Sequence, residues 1–82
     1  MHHVYLLRGR TGRHYIGMTS DVARRLEQHR RGHTYTTRRL GGDLALVASK
    51  AFASREAAAE VERMLKRWKN PAKAAEFLQS SG

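Results

Sequence analysis

His14-Tyr15-Ile16-Gly17-Met18-Thr19-Ser20-Asp21-Val22-Ala23-Arg24-Arg25-Leu26-Glu27-Gln28-His29 reads as a short strand, a capped turn and an amphipathic helix. Gly17 is expected to let the backbone turn sharply after the strand. Thr19, Ser20 or Asp21 then caps the helix, and Asp21 also suits its positive end. The helix is expected over Val22–Arg31, with Val22 and Leu26 four apart as its apolar stripe. Arg25 and His29, also four apart, lie directly beside that stripe. Arg24, Glu27, Gln28, Arg30 and Arg31 fall on the solvent side, and Gly32 ends the helix. The unit carries a tyrosine, an arginine and a histidine into one neighbourhood.

Upstream, His3-Val4-Tyr5-Leu6-Leu7-Arg8 is an expected strand. Val4 and Leu6 point one way, and His3, Tyr5 and Leu7 the other. Apolar groups on both faces suit a central strand covered on both sides. Gly9–Arg13 supplies a loop somewhat longer than a minimal hairpin, so Tyr5 and Tyr15 come to lie on neighbouring antiparallel strands, on the same face. Downstream, His33–Gly42 is a polar, basic connection in which hydroxyls beside paired arginines suit phosphate contact. Asp43–Phe52 contains a third strand, centred on Leu44 to Val47. A second helix follows the Ser54 cap, with Ala57/Ala58, Val61, Met64/Leu65 and Trp68 as its stripe. Asn70-Pro71 breaks it and opens a last helix, with Asn70 as the cap, packing through Ala74, Ala75, Phe77 and Leu78. The expected fold is α/β (α+β): a small three-stranded antiparallel sheet flanked by helices, order β-β-α-β-α-α. It forms one domain over residues 1–79 with a flexible tail at 80–82.

At 82 residues the chain buries only about 60% of its extended surface, enough for one modest core and a shallow site. It has no cysteine, which excludes disulfides, a thiolate nucleophile and thiolate metal sites. The N-terminus shows no long apolar run behind a basic start, so neither a signal peptide nor a membrane partner is expected, and a cytoplasmic location is. The charge is +9, from 16 Lys+Arg against 7 Asp+Glu, and twelve of the basic residues are arginine. Nine of those arginines stand in the first forty residues, where Asp21 and Glu27 are the acids. A polyanion is the natural partner of such a surface, and arginine suits bidentate phosphate contact. Arg13, Arg24, Arg30, Arg31, Tyr35, Arg38 and Arg39 are the candidate nucleic-acid contacts.

Tyr5 with Tyr15, Arg25 with His29, and Glu62 are the candidate site. Each has an ordinary reading: paired strand aromatics, a snorkelling arginine with a histidine capping a carbonyl, and a helix glutamate in an exposed ion pair. Glu62 follows Val61 and lies four residues from Ala58, so it borders the buried stripe. Together these residue types suit phosphodiester hydrolysis. That reaction needs an activated oxygen nucleophile, a cation against the phosphoryl charge and help for the leaving group. A carboxylate can also hold Mg²⁺, which keeps most of its waters.

The joint pattern resembles the GIY-YIG nuclease domain, most closely its small stand-alone bacterial group. The motifs are His3-Val4-Tyr5, then Tyr15-Ile16-Gly17, then the Thr19–His29 helix with Arg25-Leu26 and His29. They continue through the basic Gly32–Arg39 segment with Tyr35-Thr36, and end in Ser54-Arg55-Glu56 running to Glu62–Trp68 and the last helix. The resemblance covers about residues 3 to 79. It implies Tyr15 as general base or water-activating hydroxyl, Tyr5 orienting water or phosphate, and Arg25 as phosphate clamp. It further implies His29 supporting the tyrosine or assisting proton transfer, and Glu62 as the single side-chain ligand of Mg²⁺ or Mn²⁺. The implied activity is a metal-dependent DNA endonuclease with a one-metal mechanism, serving repair or recombination on branched or damaged DNA. The alternative is a non-catalytic nucleic-acid-binding module that keeps the fold, and RNA stays open as its ligand. An accessory protein that uses this surface to bind a partner is a third reading. His3 replaces the first glycine of the name-giving motif, and Met18 stands where excision-repair relatives carry lysine. No dimer motif is present.

Overall fold

Val4 and Leu6 on one side of the first strand, and Tyr5 and Leu7 on the other, are all buried. That two-sided burial makes His2–Arg8 (β1) the central strand, as its apolar groups on both faces predict. The computed structural model of the chain describes residues 1–31 and 44–79. Within them β1 is followed by β2 (His14–Thr19), α1 (Val22–Arg30), β3 (Ala45–Phe52), α2 (Arg55–Trp68) and α3 (Pro71–Gln79). The sheet is antiparallel in the order β2-β1-β3, so the expected β-β-α-β-α-α architecture is present. The expected tail at 80–82 and the basic segment with Tyr35, Arg38 and Arg39 lie outside the described residues.

The sheet separates two apolar clusters. Val4, Leu6 and Ala48 meet Ala58 and Leu65 of α2 and Ala74 and Leu78 of α3, with Ile16, Met18, Phe52, Val61 and Trp68 packed around them. Tyr5, Leu7 and Leu44 form the smaller cluster, closed by Tyr15 and by Leu26 of α1. Most of the hydrophobic stabilisation therefore sits under α2 and α3. Among the described residues, the face that carries the tyrosines packs against α1.

The caps explain why the helices start where they do. Asp21 Oδ1 accepts from the Arg24 N–H at 3.0 Å, and Thr19 Oγ1 accepts from the Asp21 N–H at 3.1 Å, fixing the approach to α1. Ser54 Oγ accepts from the Ala57 N–H at 3.1 Å. Asn70 Oδ1 accepts from the Lys73 N–H at 3.1 Å, one residue before Pro71 opens α3. Each satisfies a donor that the first helical turn would leave without a partner. Trp68 and Phe77 then meet edge to face, with ring centres 5.8 Å apart.

Three expectations change. Helix α1 ends at Arg30, with Arg31 as its C-cap, one residue earlier than the solvent-side pattern suggests. Strand β3 runs well past Val47. A register shift at Leu6/Leu7 pairs Leu6 with Ala48 and Leu7 with Leu46, so Val47 is the extra residue. The strand continues through Ser49 and Ala51, edge positions that carry no apolar signal. Finally, Gly17 does not turn the chain. It lies inside β2, opposite Tyr5; among the described residues the glycine with positive φ is Gly12, at 85°, in the β1–β2 loop.

Candidate functional site

Gly17 serves the site by lacking a side chain. A Cβ built on it would stand 2.5 Å from the Tyr5 hydroxyl oxygen, 2.6 Å from Tyr5 Cζ and 2.9 Å from Tyr15 Cε2. Both rings therefore depend on bare backbone at this position. The register sets them diagonally on one face, since Tyr5 faces Gly17 and Tyr15 faces Leu7. Their ring centres are 6.1 Å apart.

His29 completes a triangle of rings from α1. Its centre lies 6.2 Å from that of Tyr5 and 5.4 Å from that of Tyr15. Sequence periodicity sets His29 at the border of the α1 stripe, but the helix buries it to 2% exposure. Its Nε2 lies 3.3 Å from the Tyr5 hydroxyl. Burial, and then the neighbouring Arg25 cation, hold the imidazole below its usual pKa of 6.5. His29 is thus held neutral near pH 7, so one ring nitrogen donates and the other accepts, and the tautomer sets which way the contact with Tyr5 runs.

Tyr5 is shifted the other way. Burial chiefly raises its pKa, with further upward contributions from the charge of Tyr15, hydrogen bonding to Tyr15 and the charge of Glu62; Arg25 opposes them. Tyr5 is therefore a permanent phenol at neutral pH, able to hold a proton and not to abstract one. The charges of Arg25, from α1, and Glu62, from α2, thus both act on Tyr5.

Arg25 is exposed. With Thr19, Ser20, Asp21, Arg24 and Gln28 it borders a hollow of about 160 Å³ at the start of α1. Glu62 shares a helix face with Ala58 and Leu65, and its side chain is 22% exposed and 3.7 Å from Lys66 Nζ. The ordinary ion-pair reading of Glu62 and its place near the cluster hold together. Of the other predicted contacts, Arg13, Arg24 and Arg30 are exposed. Arg31 is paired through Nε with Glu27 at 3.1 Å.

Glu62 is the carboxylate that would serve a hard divalent cation, whose remaining ligands would have to be waters and phosphate oxygens. Among the described residues, no group of three or more His, Cys, Asp or Glu side chains forms a cage for a metal. Lys66 is a fixed cation beside the same carboxylate. The Glu62-x-x-x-Lys66 spacing is the sequence sign of this pair, a favourable i,i+4 contact on a helix. No helix among the described residues is long and apolar enough to cross a membrane.

The sheet order, the diagonal tyrosines and the Arg25-to-His29 helix define a GIY-YIG-like domain. Residues 1–75 match the GIY-YIG catalytic domain, and the chain belongs to that family. Its relatives are small UPF0213 proteins. That of Streptococcus pneumoniae serotype 4 is 42% identical over 81 residues, 96% of this chain and 79% of that protein. One from Yersinia enterocolitica is 44% identical over 64 residues, 78% of this chain and 66% of that protein. The solution NMR structure of the UPF0213 protein of Bacillus halodurans superposes with a TM-score of 0.57 at 36% identity. It covers 99% of this chain and 85% of that one.

Proposed function

We propose that the chain is a nucleic-acid-binding module of the GIY-YIG fold that takes a backbone phosphate at the N-terminal end of α1. The observation that carries this reading is the hollow bordered by Arg24 and Arg25 beside the Tyr5–Tyr15–His29 cluster. Two arginines and the Ser20 hydroxyl suit phosphate oxygens, and a phosphate would sit beside the Asp21 carboxylate, which shares the hollow and caps α1 through the Arg24 N–H. The net charge of +9 supplies the long-range attraction to a polyanion.

A second reading, a metal-dependent DNA endonuclease, is favoured by one further observation: Arg25 and Glu62, from two different helices, both lie near enough for their charges to act on Tyr5. In that reading water adds to phosphorus, one P–O ester bond breaks, and the leaving oxygen takes up a proton. Arg25 offsets the charge on the phosphoryl oxygens. Tyr15, less buried than Tyr5, presents its hydroxyl to the attacking water. Tyr5 and neutral His29 hold that hydroxyl in place from below. Glu62 would hold Mg²⁺ or Mn²⁺, which when bound supplies Lewis-acid stabilisation of the phosphoryl group.

One experiment separates the readings. Labelled duplex, branched and single-stranded DNA are incubated with wild-type protein and Glu62→Ala, with and without Mg²⁺ or Mn²⁺, and both binding and products are followed. Salt-sensitive binding without product supports the module. Metal-dependent product lost in Glu62→Ala supports the endonuclease. Absence of salt-sensitive binding to every substrate overturns both.

A further inference from the structure

The Glu62 side chain is only 22% exposed, yet among the described residues its carboxylate faces a single counter-charge, the Lys66 ammonium one helical turn on. At 3.7 Å the two form an ion pair without a hydrogen bond. A carboxylate covered to this degree ordinarily accepts hydrogen bonds from its neighbours. Here no described group donates one, and among the described residues no group of three or more His, Cys, Asp or Glu side chains surrounds it. Two kinds of cation therefore compete for the same oxygens: the resident ammonium, and a divalent ion that would complete its shell with waters and phosphate oxygens.

The resident cation is easily displaced. Lys66 is 52% exposed, and its ammonium is a compact, strongly hydrated charge on a flexible four-carbon stem. A pair of this exposed i,i+4 kind shifts an equilibrium by only about twofold. A divalent cation at Glu62 thus removes Lys66 at little cost and repels it afterwards. Lys66 also borders the cavity that Tyr15 and His14 line, and none of the residues lining that cavity is acidic. An ammonium released from Glu62 stays on the flank of the tyrosine cluster, where no carboxylate of the cavity takes it up.

We infer that Lys66 links two ligands of this chain: a divalent cation at Glu62 turns the Lys66 ammonium from the carboxylate to a phosphate of bound nucleic acid, so that cation and nucleic acid each strengthen the binding of the other. The phosphate takes up the competing ammonium and offers oxygens to the cation, and linkage makes the gain equal in both directions. The inference rests on the nucleic-acid-binding reading and adds to it a regulator, Mg²⁺ or Mn²⁺, with Lys66 as the positioning residue. Its sign is distinctive. Divalent cations ordinarily weaken such binding, because they compete with the protein for the phosphates.

The test measures affinity for one labelled duplex with and without Mn²⁺ at constant ionic strength, over a time in which the duplex is recovered intact. Wild type is compared with Glu62→Gln, Lys66→Met and Glu60→Gln, the last a control for net charge at an exposed position of α2. Glutamine and methionine are good helix formers, and thermal denaturation verifies that each variant folds. Wild type is expected to bind on the order of fivefold more tightly with Mn²⁺. Glu62→Gln releases Lys66 permanently, so without Mn²⁺ it should bind as tightly as wild type does with it, whereas Glu60→Gln should not. Lys66→Met should lose most of the Mn²⁺ response. In the absence of DNA it should take Mn²⁺ about twofold more tightly than wild type, read from paramagnetic broadening of NMR signals around Glu62. Unchanged or weaker binding of wild type with Mn²⁺ overturns the link and leaves the α1 phosphate site standing. A full Mn²⁺ response in Lys66→Met overturns it too, since the cation then bridges Glu62 and phosphate by itself. Equal tightening by Glu62→Gln and Glu60→Gln reduces the effect to net charge and also overturns it. No salt-sensitive binding under any condition overturns the underlying reading and the link together.

Discussion

Tyr5 lies over Gly17 so closely that a single added methyl group would stand 2.5 Å from its hydroxyl oxygen. The two residues are direct cross-strand partners. The bare backbone of β2 is what allows the Tyr5 ring to reach His29 on α1, 24 residues further along the chain, at 3.3 Å. The glycine of Tyr15-Ile16-Gly17 is thus part of the site's construction. It shapes the space for both tyrosines, while Ile16, on the opposite face, anchors the same strand to the larger core.

Gly17→Ala is expected to destabilise the protein by about 1–3 kcal/mol, the range for overpacking a filled interior. The backbone needs no positive φ here, so the cost comes from displaced rings rather than from strain. Chemical denaturation measures the loss. Tyrosine ring shifts in NMR spectra check its origin, with Tyr5 and Tyr15 moving and the α2–α3 core unmoved. A fully stable Gly17→Ala with unshifted rings would show that the face is looser than these distances indicate.

Tyr5→Phe removes the hydroxyl that meets His29 and leaves the ring. Loss of one such hydrogen bond costs about 1 kcal/mol, and leaving His29 Nε2 without that partner brings the total toward 2 kcal/mol. The expected denaturation midpoint is lower, with an unchanged slope against denaturant. An unchanged midpoint would mean that the 3.3 Å contact contributes little to folding.

His29 makes stability depend on pH in a definite direction. Its pKa is lowered in the folded state by burial and then by Arg25, so the unfolded chain binds the proton more readily. Stability is therefore fully present above the unfolded value of about 6.5 and is lost as pH falls through the folded pKa. Denaturation midpoints measured from pH 8 down to pH 5 should be level and then fall. In Arg25→Ala the His29 pKa, followed by NMR, should rise yet stay below 6.5, because burial is the larger cause. A wild-type midpoint that rises on acidification would contradict a buried neutral imidazole.

The elements were legible in the sequence because local chemistry and burial agree. Apolar residues on both faces mark β1 as central, and Asp21, Ser54 and Asn70 cap the helices they precede. Tyr5 and Tyr15 could be placed on one face because a short hairpin leaves little freedom. Other features depend on contacts between distant segments. Gly17 carried the signature of a turn, and its packing role follows only from the register that sets it opposite Tyr5. His29 looked marginal because Val22 and Leu26 define too narrow a stripe; the tyrosine rings extend the buried surface to reach it. Strand β3 faded after Val47 because an edge strand needs no apolar residue on its open face.

The arginines of α1 should not contribute equally to nucleic-acid binding. Arg24 is exposed beside the hollow with Arg25, whereas Arg31 is tied to Glu27 at 3.1 Å. Each phosphate contact releases condensed counterions and adds about 0.9 to the slope of log affinity against log salt on duplex DNA. Arg24→Ala is therefore expected to reduce that slope by about one and to weaken binding alike across sequences. Arg31→Ala should change it less, since Glu27 already neutralises much of that charge, and Glu27→Gln should strengthen binding by freeing Arg31. Salt titrations of the three variants on one labelled duplex measure these slopes. If Arg31→Ala lowers the slope as much as Arg24→Ala does, the phosphate path runs along the C-terminal end of α1 and not through the hollow at its start.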